Sequence, residues 1–192
     1  MDKKLKKYIE RYDLIQNCAS YELKPNGGMT VLINQETNCE VLIENKAYPL
    51  ESFQAILMNA YEESVHIQSN NNINLIAVRF KGAGASFFYE EHMDELMQVP
   101  KEPILLEKNI LENELDTYFK NRFKPSKLPF NIMKIIDLLD EQGSDYSIDE
   151  ILAIANIPRK VLDKMFSLRT GLTFKTYASL TEFGNNDNST SI

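Results

Sequence analysis

Five long cations, Arg159, Lys160, Lys164, Arg169 and Lys175, fall between Pro158 and Lys175, a stretch whose sole acidic residue is Asp163. Arg and Lys at helical spacing can neutralise phosphates, and from a helix laid in a groove they can hydrogen-bond base edges. The chemistry on offer is nucleic-acid recognition, with Arg159, Lys160 and Lys164 toward a major groove and Arg169 and Lys175 on phosphates. The chain as a whole carries a net charge of −7, which argues against indiscriminate attraction to a polyanion. Even the unit from Ser126 to Ile192 holds seven basic and nine acidic residues, so a basic face must be turned one way and the acidic helices another.

Other chemistry is poorly provided for. A metal site in a β barrel takes two or three His with a carboxylate, whereas this chain has two His, His66 and His92, with no H-x-H spacing. Cys18 and Cys39 sit in strand-like runs, where a small buried hydrophobe is the common role for cysteine. Gly27-Gly28 and Gly82-x-Gly84 are too short for a phosphate loop and read as turns. No metal, cofactor or catalytic residue is expected, and the chain is not read as an enzyme. The aromatic set Tyr21, Phe53, Tyr61, Phe80, Phe87 and Phe88 offers a different function, since these side chains could line a small-molecule pocket or fill the interior of a barrel.

The elements that must position these residues fall into two kinds. LKKYIERY predicts a short amphipathic helix with Leu5, Tyr8, Ile9 and Tyr12 on one face. DLIQNC, MTVLINQ, CEVLIEN, AILMNAY, SVHIQS and INLIAVRF then read as strands, separated by turn formers at Pro25-Asn26-Gly27-Gly28, Glu36-Thr37-Asn38, Pro49 and Asn70-Asn71-Asn72. Regular short strands of this kind predict an antiparallel β barrel or jelly roll of the cupin sort. Beyond Pro100 the pattern turns helical. Leu111, Leu115, Tyr118, Phe119 and Arg122 share a connecting helix of roughly 15 residues, whose apolar seam needs burial against the chain's own domains or a second copy. A support helix spans Phe130 to Gln142. A helix-turn-helix follows, its first helix opened by the Ser147/Glu150 capping box, its turn at Asn156-Ile157-Pro158, and its second helix facing the core with Leu162 and Phe166. GNNDNSTSI is a polar tail expected to be disordered.

The run IPRKVLDKMFSLRTGLTFKTYASLTEF resembles the first helix-turn-helix of AraC-type regulators, with Phe166, Gly171, Lys175 and Tyr177 where that pattern has a Phe, a Gly and a Lys-x-Tyr helix start. It departs at Pro158, Asn156, Leu152 and Glu182, where the family commonly has Ser, Gly, Ala and Arg. VRFKGAGASFFYEEHMDELMQ is similar to a stretch of one AraC-type subgroup, through Val78, Phe80, Lys81, Gly82, Phe87, Phe88, Glu95 and Leu96. LKKYIERYDLI and PNGGMTVLI resemble that subgroup's opening segment and first hairpin. The resemblance implies an α+β chain: a cupin-like β domain over residues 1–105 for sensing or dimerisation, a connecting helix and linker over 106–125, a helix-turn-helix domain over 126–183 and a tail over 184–192. The family's second helix-turn-helix is expected to be missing.

The implied function is a cytoplasmic transcription regulator that binds DNA through one helix-turn-helix. Its implied partners are DNA, a second copy in a homodimer and a small-molecule effector of undecided existence. No membrane contact is expected, because no apolar run reaches spanning length. The alternative is a truncated AraC-type protein that does not bind DNA and acts by pairing with other proteins.

Overall fold

One strand of 16 residues, β6 (Val65–Phe80), organises the sheet of the computed structural model, which describes residues 1–98, 102–106, 110–124, 134, 135, 138 and 148–187. Along one edge it pairs antiparallel with β1 (Ile9–Leu23), from Leu23 opposite Val65 to Ile9 opposite Phe80. Its other edge is shared: β3 (Cys39–Ile43) takes His66 to Gln68, and β2 (Thr30–Asn34) takes Leu75 to Arg79. β4 (Lys46–Leu50) forms a hairpin with β3, and β5 (Ala55–Met58) joins β2 to β7 (Ile104–Leu106). These seven strands make a single antiparallel sheet curled into a half-barrel.

The curl has a local cause. The β1 and β6 ladder is irregular between Gln16 and Cys18 and again between Cys18 and Ser20, and Asn17 there holds a left-handed backbone with φ of 59°. Such bulges bend a strand and sharpen its twist, and Asn is among the few residues that tolerate left-handed φ. The Asn70-Asn71-Asn72 run, expected as a turn between two strands, lies inside β6 at this irregularity, where pairing skips from Gln68 (opposite Ser20) to Ile73 (opposite Cys18). Pro49, also expected in a turn, stands in β4 at the end of the sheet, where a missing N–H costs no ladder bond.

Period-two alternation sorts the core onto two faces. Val31, Ile33, Ala55, Leu57, Ile76, Val78 and Phe80 face the helical segments, while Leu32, Ile56, Met58, Leu75 and Ala77 face the curled interior with Val41, Ile43 and Leu50. Both faces are covered, which is why TVLIN is buried at every position instead of alternating. The N-terminal amphipathic helix shrinks to a 3-10 turn over Leu5–Lys7, because Ile9 is drawn into the ladder opposite Phe80 and an isolated short helix is weakly stable.

The outer face is covered by a 3-10 segment (Gly82–Phe87), by α1 (Met93–Gln98) and by α2 (Leu115–Arg122). α2 has 8 residues, about half the expected helix; Glu112–Glu114 is a 3-10 turn instead. Leu115 and Phe119 are buried within the chain, Phe119 edge-on to Phe80, Phe88, Tyr89 and Tyr118. Leu115 and Phe119 of the seam therefore find their partner in the chain's own β domain, whereas Leu111 stays 41% exposed.

The helix-turn-helix comprises α3 (Ile148–Ala155) and α4 (Arg159–Thr170), followed by α5 (Phe174–Asp187). Asn156 in the turn has φ of 51°, and Pro158 caps α4 from an extended conformation instead of occupying its first turn. Gly171 closes α4 in the left-handed region at φ 80°. Ser147 and the linker at 125–127 lie outside the described residues, as does most of the 130–142 support helix. α5 runs to Asp187 and so includes residues expected in the tail; 188–192 lie outside the described residues.

Candidate functional site

α4 presents two unlike faces. Leu162, Phe166 and Thr170 are buried, and Leu162 and Phe166 pack with Ile135, Ile151, Phe174, Tyr177 and Ala83, the last belonging to the β domain. Arg159, Lys160 and Lys164 are exposed on the outer side, Arg159 lying 4.0 Å from Asp163 one turn on, and Lys175 is exposed on the first turn of α5. Arg169 stands apart from these four. Its Nη1 donates to both carboxylate oxygens of Glu90, at 2.9 and 3.0 Å, in a half-buried ion pair between α4 and the β domain.

Two close approaches fix the same contact. A Cβ at Gly171 would meet the Asn59 side chain at 2.9 Å, and one at Gly27 would meet the Tyr177 ring at 3.0 Å, so backbone and side chain lie nearer than any larger residue allows. α4 is thus seated on the β domain, with its basic face turned outward.

The six aromatics do not line one pocket. Phe80 and Phe88 are buried on the outer face of the sheet, with Phe87 against Tyr8 and Phe123 beside them. Tyr21 and Tyr61 pack against the curled interior, and Phe53 is 51% exposed at a left-handed φ of 60°. A cavity of about 370 Å³ opens where the interior meets the helix-turn-helix, lined by Ile43, Glu44, Tyr61, Glu62, Glu63 and Leu172, among others. Burial holds the Tyr61 hydroxyl well above its ordinary pKa, helped by Tyr48 and Glu44, and its Oη is buried without a hydrogen-bond partner.

Sequence reading missed Arg79. It sits in the apolar run IAVRF, where a cation looks like an outward-facing interruption, yet it is 2% exposed. Its one signal is the strand period: with Leu75 and Ala77 facing the interior, position 79 must face it too. Cys39 is buried and Cys18 half-buried. His66 is exposed on β6 and His92 half-buried. Among the described residues no group of three His, Cys, Asp or Glu side chains is placed to hold a metal ion, and no helix is long and apolar enough to cross a membrane.

No family model matches the chain, and no curated protein matches it by sequence. Solved structures do. ToxT from Vibrio cholerae superposes with a TM-score of 0.56 at 14% identity, over 95% of this chain and 85% of that one. ToxT bound to (E)-4-(8-methylnaphthalen-1-yl)but-3-enoic acid gives 0.54 at 12% identity, over 93% and 83%. Unsaturated fatty acid bound ToxT gives 0.54 at 8% identity, over 96% and 83%. At such identities the likeness is one of fold, and it joins the sheet and the helices in one alignment. The chain has the fold of ToxT, an N-terminal antiparallel β half-barrel followed by helices.

Proposed function

We propose that the chain is a transcription regulator that binds DNA through its helix-turn-helix and takes a small-molecule effector in its β domain. The observation that carries this reading is the outward basic face of α4, Arg159, Lys160 and Lys164 exposed opposite buried Leu162 and Phe166, on a chain with the fold of ToxT. In this reading α4 enters the major groove and Lys175 meets a phosphate. Arg169 joins it on the backbone only when Glu90 lets go. A β domain of this kind solved with carboxylic acids bound supports an effector here, and the cavity beside Leu172 gives it a place next to the helix-turn-helix.

One recognition helix gives two or three base contacts at about 1 to 3 kcal/mol each, near the low end of what regulators show, so two copies are needed for firm specificity. A homodimer supplies them. β1 pairs along β6 and with no other described strand, and Leu14 on it is 51% exposed, which supports pairing through this edge. The second reading, protein pairing without DNA, draws support from the exposed Ile154 and Val161 on the helix-turn-helix itself, 41% and 44% exposed. Selection of genomic fragments by the immobilised full chain at low salt, followed by footprinting, separates the two. A protected site of one or two half-sites is expected; absence of any enriched fragment moves the reading to protein pairing.

A further inference from the structure

Arg79 carries a buried charge with no counter-ion among the described residues. It lies opposite Thr30 on β2 and Arg11 on β1 and is 2% exposed. Its Nη2 donates to the Lys24 carbonyl oxygen, its Nε is buried without a partner, and no described carboxylate forms an ion pair with its guanidinium. The two carboxylates that act on it from a distance, Glu10 and Asp13, are already engaged. Glu10 accepts from Arg11 and from Asn26 Nδ2, at 2.6 and 2.7 Å, and both oxygens of Asp13 accept from Arg11 Nε. Burial depresses the Arg79 pKa, yet a guanidinium keeps its proton at physiological pH. A buried charge is costly unless it is paired, so the site calls for an anion.

The space beside the guanidinium limits what that anion can be. Arg79 borders a void of about 20 Å³, lined by Lys24, Asn26, Gly28, Thr30 and Met58 among others. That is room for about one water-sized group. A carboxylate, phosphate or sulfate is too large, and a water fits but leaves the charge unbalanced. A halide fits and balances it. The other charged side chains on the void are Lys24 and Glu63, both exposed, so its lining carries two cations to one carboxylate. Thr30, directly opposite Arg79 in the ladder, brings a hydroxyl to the same side of the sheet.

We propose that the void beside Arg79 is a binding site for a single chloride ion, which accepts the Nε–H and serves as the counter-ion of the guanidinium. The ion's effect reaches past one side chain. Arg79 Nη2 holds the Lys24 carbonyl, and Lys24, Pro25, Asn26 and Gly28 of the same turn line the void. Gly27 of that turn lies against the Tyr177 ring on α5, where a Cβ would come within 3.0 Å. Chloride therefore fixes the turn against which α5 packs. The proposal stands apart from the DNA-binding reading and from any effector in the 370 Å³ cavity.

The test is thermal unfolding of the full chain in sodium chloride against sodium gluconate at matched ionic strength. Chloride is expected to raise the melting temperature by about 2 to 4 °C, in a response that saturates as the site fills. Arg79→Met should erase the difference between the salts. Its melting temperature in gluconate should hold or rise, because the variant loses a buried charge that has no counter-ion there. Should that variant fail to fold, long-wavelength anomalous scattering from wild-type crystals grown in sodium chloride decides, with one chloride expected within hydrogen-bond distance of Arg79 Nε. Equal melting temperatures of the wild type in the two salts, a chloride effect retained in Arg79→Met, or a water in the void of those crystals would overturn the proposal.

Discussion

Cys39 and Cys18 differ in what a thiol reagent can reach. Cys39 is 5% exposed and burial pushes its thiol up to about 11, so little thiolate exists near neutrality. Ellman's reagent at pH 8 is expected to label Cys18 first and Cys39 only on unfolding; equal rates for both would contradict the buried position. The unfolded thiol ionises near 9.0, the folded one near 11, so the folded state holds the extra proton in that window and loses stability as pH rises through it. Cys39→Val should flatten that part of the stability profile in urea titrations. Phe166 is 0% exposed between Phe174 and Tyr177, and Phe166→Ala is expected to cost about 3 to 5 kcal/mol by denaturant titration. Residues like these were legible in sequence. Phe166 announces itself by helical spacing, and Asn156 and Gly171 by their tolerance of left-handed backbone. Arg79 was not, because its burial depends on which face of β6 the curl encloses, and the curl comes from long-range pairing.

At the scale of elements, the Glu90 and Arg169 ion pair ties α4 to the β domain. Glu90→Gln removes the carboxylate charge and releases Arg169 toward phosphate. Its DNA affinity at low salt is expected to rise several-fold, with the dependence on log salt steeper by about one unit. Unchanged affinity and slope would mean that Arg169 serves the domain contact alone. The strands were legible because both faces of the sheet are covered, which writes each strand as a short unbroken apolar run. The division of β6 was misread, since an Asn triplet carries the same local signal whether it turns a chain or bulges from a ladder; only the partner strand β1 decides. The connecting helix was overdrawn for a similar reason. Helical spacing at Leu111, Leu115 and Tyr118 also fits a 3-10 turn leading into the shorter α2, and backbone hydrogen bonding over Glu112–Glu114 chose the turn.

For the whole molecule, the proposed reading rests on the basic face of α4 and on β1, which among the described strands pairs with β6 alone. Sedimentation at tens of micromolar is expected to show a species near twice 22.1 kDa, and a purely monomeric boundary would count against pairing. The most direct measurement is fluorescence anisotropy of the wild type, Lys164→Ala and Lys175→Ala on a selected genomic fragment and on random DNA, across a salt series. Lys164 is exposed on the outer face of α4, so its loss should weaken the selected site more than random DNA. Loss of Lys175 should weaken both about equally and make the salt dependence shallower by about one unit, as expected for one phosphate contact. Absence of DNA binding by the wild type at low salt, or negligible effects of both substitutions, would contradict the account.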